Sequence, residues 1–255
     1  MTYIMVAPNG ARRTADDHPK VPVTDQELIT EARSCYRAGA HGLHAHIRDQ
    51  SAAHLLDVSR YKALLTNLES EIPGLDVQIT SEAAGIYDSE SQIDLLTRIQ
   101  APWVSLALRE VLRNQSVERL SDFFQDLLRK SRVQFILFEP TDLTTLVELR
   151  DQRILASDEY EVLYVLGRYT EGQVSHTSQL DSFLIARDCL PKSKRPATEM
   201  ICAFGTAQIP CLVYAANHGL NLRIGFENGI WLPDGSVADD NASLVSVLIN
   251  EIRLP

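Results

Sequence analysis

The segment His41-Gly-Leu-His-Ala-His-Ile-Arg-Asp49 alternates apolar and imidazole side chains with a period of two, the period of a β-strand. In the strand it predicts, Gly42 to Ile47, the side chains of Leu43, Ala45 and Ile47 face one way and those of His44 and His46 the other. An apolar face of this kind packs against helices, and helical patterns flank the segment near 25–38 and 58–71. The first carries its own signals. Thr24 stands three residues before Glu27, a capping-box pattern, and Gly39 supplies a stop.

Working outward, the same unit recurs along the chain. Strand candidates are Tyr3 to Ala7, Gly42 to Ile47, Asp76 to Thr80, Trp103 to Leu108, Val133 to Phe138, Glu161 to Leu166, Glu199 to Phe204 and Asn221 to Phe226. Helical patterns near 89–99, 117–130, 142–151, 178–188, 206–217 and 241–252 complete the alternation, with Thr141 and Asn241 as expected caps. Strand followed by helix, repeated, gives parallel strands with crossover helices. Eight units in 255 residues predict an α/β fold, a (β/α)8 TIM barrel forming one catalytic domain over 1–255. An open doubly wound sheet is the alternative that the same alternation allows. A barrel gathers its chemistry at the carboxyl ends of its strands, so the site is sought there.

Composition narrows the function classes. The 34 acidic and 24 basic side chains give a net charge of −10, which argues against nucleic acid as a partner. Apolar runs such as Val162 to Leu166 fall far short of the roughly 18 residues that a membrane span needs. The N-terminal run MTYIMVAPNGARR lacks the basic start and cleavage site of a signal peptide. Cys35, Cys189, Cys202 and Cys211 show no C-x-x-C spacing, so reduced thiols and a cytoplasmic location are expected.

Two imidazoles side by side at a strand end are two-thirds of an open metal site, which commonly uses two His, a carboxylate and water. Hydrogen-bonded structural histidines are the competing reading. The eighth strand, Leu220-Asn-Leu-Arg-Ile-Gly-Phe-Glu-Asn228, puts Arg223, Gly225 and Glu227 in one phase and Leu222, Ile224 and Phe226 in the other. With the apolar set packed on helices, Arg223 and Glu227 face the barrel interior. They form either a buried ion pair or a metal ligand, Glu227, beside an anion-binding Arg223. On the third strand Gln78 and Thr80 face in, and the hydroxyls of Thr80 and Ser81 can bond a substrate oxygen or serve a turn. The loop Asn9-Gly-Ala-Arg-Arg13 brings two arginines toward an anionic ligand. His18, His41, His54, His176 and His218 lack a partner in phase and are read as structural or surface residues. Asp234, Asp239 and Asp240 are read as solvated turn residues.

Taken in order, Ala7-Pro-Asn-Gly-Ala-Arg-Arg-Thr14, His18-Pro19, Pro22-Val-Thr24, Ala38-Gly-Ala40, His44-Ala-His-Ile-Arg-Asp49, Gln78-Ile-Thr-Ser-Glu82 and Arg223-Ile-Gly-Phe-Glu-Asn228 resemble the β-keto acid cleavage enzymes over nearly the whole chain. The resemblance implies a zinc-dependent barrel, with another divalent metal as the variant. Such an enzyme turns a β-keto acid and acetyl-CoA, its co-substrate, into acetoacetate and a new acyl-CoA. It also implies a homo-oligomer, often a tetramer. By this resemblance the metal ligands fall on His44, His46 and Glu227, substrate contacts on Arg12, Thr80 and Ser105, and the arginine of the catalytic dyad on Arg223.

The chain departs from the family pattern at several positions. Asn228 stands where the dyad has an aspartate, and a carboxamide takes no proton at neutral pH. Glu82, Glu139 or water activated by the metal is then expected as the base. Arg12 stands where a member selecting a cationic substrate has glutamate, which predicts a neutral or anionic acyl chain. Ala107 replaces a frequent asparagine. A metal-dependent hydrolase and a non-catalytic binding protein that has lost its base at Asn228 are the alternatives. Amidohydrolase-like barrels usually carry H-x-H on strand one rather than strand two, which weakens the first.

Overall fold

Eight parallel strands close into a barrel in a computed structural model of the protein, which describes residues 2–155, 157, 160–168 and 170–253. The strands are β1 Ile4–Val6, β2 Gly42–Ala45, β3 Asp76–Thr80, β4 Trp103–Ala107, β5 Arg132–Leu137, β6 Glu161–Leu166, β7 Thr198–Ala203 and β8 Asn221–Ile224. Each pairs with the next in sequence, and β8 returns beside β1 with Met5 opposite Arg223. The helices α1 Asp25–Arg37, α2 Val58–Glu71, α3 Ser89–Ile99, α4 Val117–Lys130, α5 Pro140–Asp151, α6 Thr177–Asp188, α7 Gln208–Asn217 and α8 Asn241–Arg253 follow the strands in turn. A single turn, Leu108–Val111, separates β4 from α4. This is a (β/α)8 TIM barrel, and the open sheet is excluded. No helix among the described residues is long and apolar enough to cross a membrane.

Strand alternation divides the apolar residues into two cores. The outward set, including Leu43, Val104, Leu222 and Ile224, packs with the helices in the larger one. The inward set, including Met5, Trp103, Ile136, Leu163, Val165 and Met200, fills the barrel itself. Polar residues of the same inward phase, His44, Gln78, Gln134 and Arg223, are buried above this plug.

Local signals explain most boundaries. The Thr24 side chain accepts from the Glu27 N–H, and the Glu27 carboxylate accepts from the N–H groups of Thr24 and Val23, which fixes the start of α1. Two expected caps move. Glu139, not Thr141, precedes α5, because Pro140 occupies the first helical position where its missing N–H costs nothing. At α8 the Ser243 N–H bonds Asp240 Oδ1 at 2.8 Å, while Asn241 is already helical and turns inward to accept from the Phe226 N–H at 2.7 Å.

Two strands also end earlier than the alternation suggests, and both endings build the mouth. β2 stops at Ala45, and Ile47–Arg48 pairs antiparallel with His54–Leu55 in a short ribbon. β8 stops at Ile224 because Gly225 has φ +147°, and a Cβ there would lie 2.3 Å from the Ala7 carbonyl oxygen. Only glycine lets the two chains approach so closely.

Candidate active site

The carboxyl ends of the strands surround a cavity of about 210 Å³. His44 on β2 and His46 just past it bring their Nε2 atoms to 3.1 Å from each other. Glu227, in the turn after β8, places Oε2 3.6 Å from both. Gly10 makes room for it: a Cβ at that position, where φ is +62°, would lie 2.5 Å from Glu227 Cγ. The β1–α1 loop can therefore press against the carboxylate from the open side.

The protonation of this trio follows from its surroundings. Burial, followed by the Arg223 charge, pushes the His44 imidazolium down to about 4, and burial holds His46 well below its ordinary value, so both rings are neutral at pH 7. His44 Nδ1–H donates to Gln78 Oε1 at 2.7 Å, which leaves Nε2 with its lone pair. Gln78 is held in turn, because its Nε2 donates to Gln134 Oε1 at 3.2 Å. Glu227 Oε2 is buried and has no hydrogen-bond donor. The lone pairs of His44 Nε2 and Glu227 Oε2 thus face His46 Nε2, a donor set that suits a cation when His46 carries its proton on Nδ1. Among the described residues, His44, His46 and Glu227 are the set whose donor atoms, all within 4.8 Å of one another, can hold a metal ion.

Arg223 stands beside the trio. One of its nitrogens, Nη2, donates to Glu227 Oε1 at 2.9 Å and to the Cys202 thiol at 3.6 Å. Its Nε and Nη1 are buried without partners. Arg223 and Glu227 thus form the buried ion pair through Nη2 and Oε1, while Nε, Nη1 and Oε2 stay without partners.

The other sequence-derived residues divide clearly. Thr80 and Arg12 line the cavity. Thr80 Oγ1 accepts from the Glu82 N–H at 3.1 Å, and Arg12 Nη1 donates to Glu82 Oε1 at 3.1 Å. Ser105 is fully buried with its hydroxyl directed to the Ile79 carbonyl at 3.5 Å, and it does not line the cavity. Asn228 is also fully buried outside the cavity wall, its side-chain oxygen and nitrogen both without partners. It lies in the turn that Gly225 opens, with its N–H on the Gly225 carbonyl, so strand phase no longer sets its direction.

Of the expected bases, Glu82 reaches the site and Glu139 does not. Glu82 Oε2 lies 3.9 Å from His46 Nε2, and burial, with repulsion from Glu227, pushes its carboxyl up to about 7 against the pull of Arg12. Glu139 begins α5 and leans on Arg109 at 3.5 Å.

Several residues escaped the sequence reading. Arg48 is buried and gathers the carbonyls of Asn9, Gly10 and Arg13 on one nitrogen, with Ala52 on another, so it clamps the loop that carries Arg12. His54 is buried, with Nε2 donating to the Glu82 carbonyl at 2.9 Å and its ring 5.0 Å from that of His46. Arg168, just past β6, enters the cavity wall. The arginine itself was visible in the sequence, but its direction depends on a loop conformation.

A sequence profile described as beta-keto acid cleavage enzyme matches residues 1–253. The chain belongs to this family. Among curated relatives, the 3-keto-5-aminohexanoate cleavage enzyme of Acetoanaerobium sticklandii is 24% identical over 248 residues, covering 94% of this chain and 87% of that one. The 3-oxoadipate:acetyl-CoA acetyltransferase of Cupriavidus necator is 27% identical over 250 residues, covering 95% and 85%. Among solved structures, a ternary complex of ObcA with a C4-CoA adduct and oxalate superposes with a TM-score of 0.72 at 16% identity. That match covers 91% of this chain and 64% of the longer ObcA chain, and it supports the fold. The expected fold and family are both borne out.

Proposed function

We propose that the protein exchanges acyl groups between a β-keto acid and acetyl-CoA. R–CO–CH2–COO− and CH3–CO–SCoA become CH3–CO–CH2–COO− and R–CO–SCoA, which matches the kind of transfer that its acetyltransferase relative is named for. The observation that carries this reading is the convergence of His44, His46 and the donorless Glu227 Oε2 beside the free edge of Arg223.

A zinc or other divalent ion on His44, His46 and Glu227 supplies a Lewis acid for the charge that a ketone oxygen gains when the neighbouring carbon is deprotonated. The chain's own residues do the rest. Arg223 offers the unpartnered N–H groups of Nε and Nη1 to the substrate carboxylate as charge-assisted donors. Glu82, on the cavity wall and held by Thr80 and Arg12, takes the proton from the carbon between the two carbonyl groups. Asn228 has no proton-accepting form and no access to the cavity, so the dyad carboxylate of the family has no counterpart at that position.

The carbanion then attacks the thioester carbonyl and CoA thiolate leaves. The thiolate adds to the original ketone carbonyl, the carbon–carbon bond breaks, and Glu82 returns its proton to the departing acetoacetate. Arg12 at the cavity edge favours a neutral or anionic acyl chain over a cationic one. As in its family, the enzyme works as a cytoplasmic homo-oligomer, which sedimentation of the purified protein tests.

Incubation with acetyl-CoA and a panel of β-keto acids is the deciding experiment, with acyl-CoA and acetoacetate forming in equal amounts as the expected result. Hydrolysis that needs no thioester, or tight binding without turnover, overturns the proposal. Turnover that favours a cationic keto acid overturns the charge preference.

A further inference from the structure

Resting on that reading, we propose that Arg168 and the ring of Phe204 form a second anion subsite. It takes a carboxylate at the far end of the substrate, so the preferred keto acids are 3-oxo dicarboxylates.

Arg168 leaves the carboxyl end of β6 and its guanidinium carbon sits 5.3 Å from the centre of the Phe204 ring. The side chain is only 18% exposed. Among the described residues it makes no hydrogen bond, and its nearest carboxylate oxygen, Glu82 Oε1, is 3.8 Å away and already holds Arg12 at 3.1 Å. Arg187, similarly enclosed, pairs with Glu199 at 3.2 Å. Arg13 on the same cavity wall lies 3.7 Å from Asp17, a carboxylate of its own loop four residues on, whereas Arg168 has no such local partner among the described residues. The Arg168 N–H groups are not buried outright, as Nε and Nη1 of Arg223 are, and so stay open to an incoming acceptor. Stacking on Phe204 holds the plane of the group but satisfies none of those N–H groups.

The cavity wall therefore carries guanidinium N–H groups without hydrogen-bond acceptors at two places, Arg223 on β8 and Arg168 at the end of β6, two strands away. The wall near Arg168 is apolar, formed by Ile136, Val165 and Phe204. A molecule with two carboxylates joined by a short run of methylenes matches this pattern of charge, oil and charge. Arg12 is the weaker candidate for the distal carboxylate, because its side chain is 51% exposed and its charge already meets Glu82. A bidentate, enclosed pairing contributes the equivalent of roughly 100-fold in selectivity.

The test compares a 3-oxo dicarboxylate with its distal monomethyl ester, equal in backbone and lacking the second charge. Wild-type enzyme is expected to favour the diacid by about 100-fold in kcat/KM, and Arg168→Gln to bring the ratio near one, with Arg168→Lys recovering part of it. An unchanged ratio in Arg168→Gln, or a rise in the KM for acetyl-CoA alone, overturns the proposal and assigns Arg168 to the CoA phosphates. Calorimetric titration of metal-loaded protein with a saturated dicarboxylate and the matching monocarboxylate gives a readout without turnover. Tighter binding of the diacid that is lost in Arg168→Gln supports the subsite even if no keto acid reacts, and equal affinities in the wild type overturn it.

Discussion

The two ends of this barrel use the same residue types in opposite ways. At the amino ends of the strands the Tyr3 hydroxyl donates to Asp76 at 2.8 Å, Arg132 pairs with Glu161 at 2.9 Å, and the Arg132 guanidinium stacks 4.1 Å over Trp103. Every charged side chain in that group meets a partner. At the carboxyl ends, two neutral imidazoles and a carboxylate oxygen crowd one point, Arg223 Nε and Nη1 are buried without acceptors, and the carboxylate nearest to Arg168 is 3.8 Å away. At the amino ends Glu161 Oε2 and Trp103 Nε1 are single buried atoms without partners, whereas at the carboxyl ends such atoms, on Arg223 and Glu227, share the wall of one cavity. Unmatched polar atoms are costly unless something else binds them, so the open end is where ligands are expected.

The sharpest way to break the comparison is to change the open end alone. Glu227→Gln keeps an oxygen for the Arg223 N–H and removes the charge from the trio. Purified without added metal, the variant is expected to retain far less than stoichiometric metal and to lose about a thousandfold or more in turnover. Its melting temperature is expected to fall as well, because buried Arg223 loses the charge that balances it, so metal content of the folded variant is the deciding readout. Stoichiometric metal in both Glu227→Gln and His44→Ala would remove the proposed ligand set.

A smaller effect comes from the polar chain beneath the trio. Gln78→Leu removes the acceptor that fixes the His44 ring and its Nδ1–H tautomer. The expected result is a loss of 10- to 100-fold in metal affinity, measured by competition with a chelator. Loss of secondary structure in the same variant would instead place Gln78 among residues that only support the core.

What the sequence made legible divides along the same line. Regular alternation showed both faces of β2 and β8, so His44 and Arg223 could be placed in the interior from their phase; His46 and Glu227 lie just past the strand ends, and their inward course needed the turns as well. The capping box at Thr24 was equally plain, because it is a local pattern of side chain and backbone. Legibility fails where the strands stop. Asn228 belongs to a turn with its own geometry, Ser105 spends its hydroxyl on a neighbouring strand, and Arg48 acts through carbonyls that no residue type announces. Glu82 and Arg168 lie on loops whose course follows from tertiary packing. The charge of the site was readable, whereas the directions in which its loop arginines point were not.

At the paired end the expectation reverses. Tyr3→Phe deletes one hydroxyl, which donates to Asp76 at the end of the barrel away from the cavity. Stability is expected to fall by about 1 kcal/mol in urea unfolding, with kcat/KM unchanged within about twofold. A large loss of turnover would show that the closed end is coupled to the mouth, and the contrast between the ends would fail.

The smallest effect lies at the rim of the open end, where paired groups again serve stability. Glu27 closes the loop that carries Arg12, and the N–H groups of Thr24 and Val23 hold its carboxyl below the ordinary glutamate range. A carboxyl whose folded value is depressed stabilises the folded state above its unfolded value, and that contribution disappears as pH falls through the folded one. Glu27→Gln should therefore cost well under about 1 kcal/mol at pH 7 for this exposed cap, and the difference from wild type should shrink as pH falls through the ordinary glutamate range and vanish below the depressed folded value. Thermal unfolding of both proteins from neutral to acid pH measures it. A difference that persists in acid would mean that shape rather than charge holds the cap, and the rim would then owe its order to packing alone.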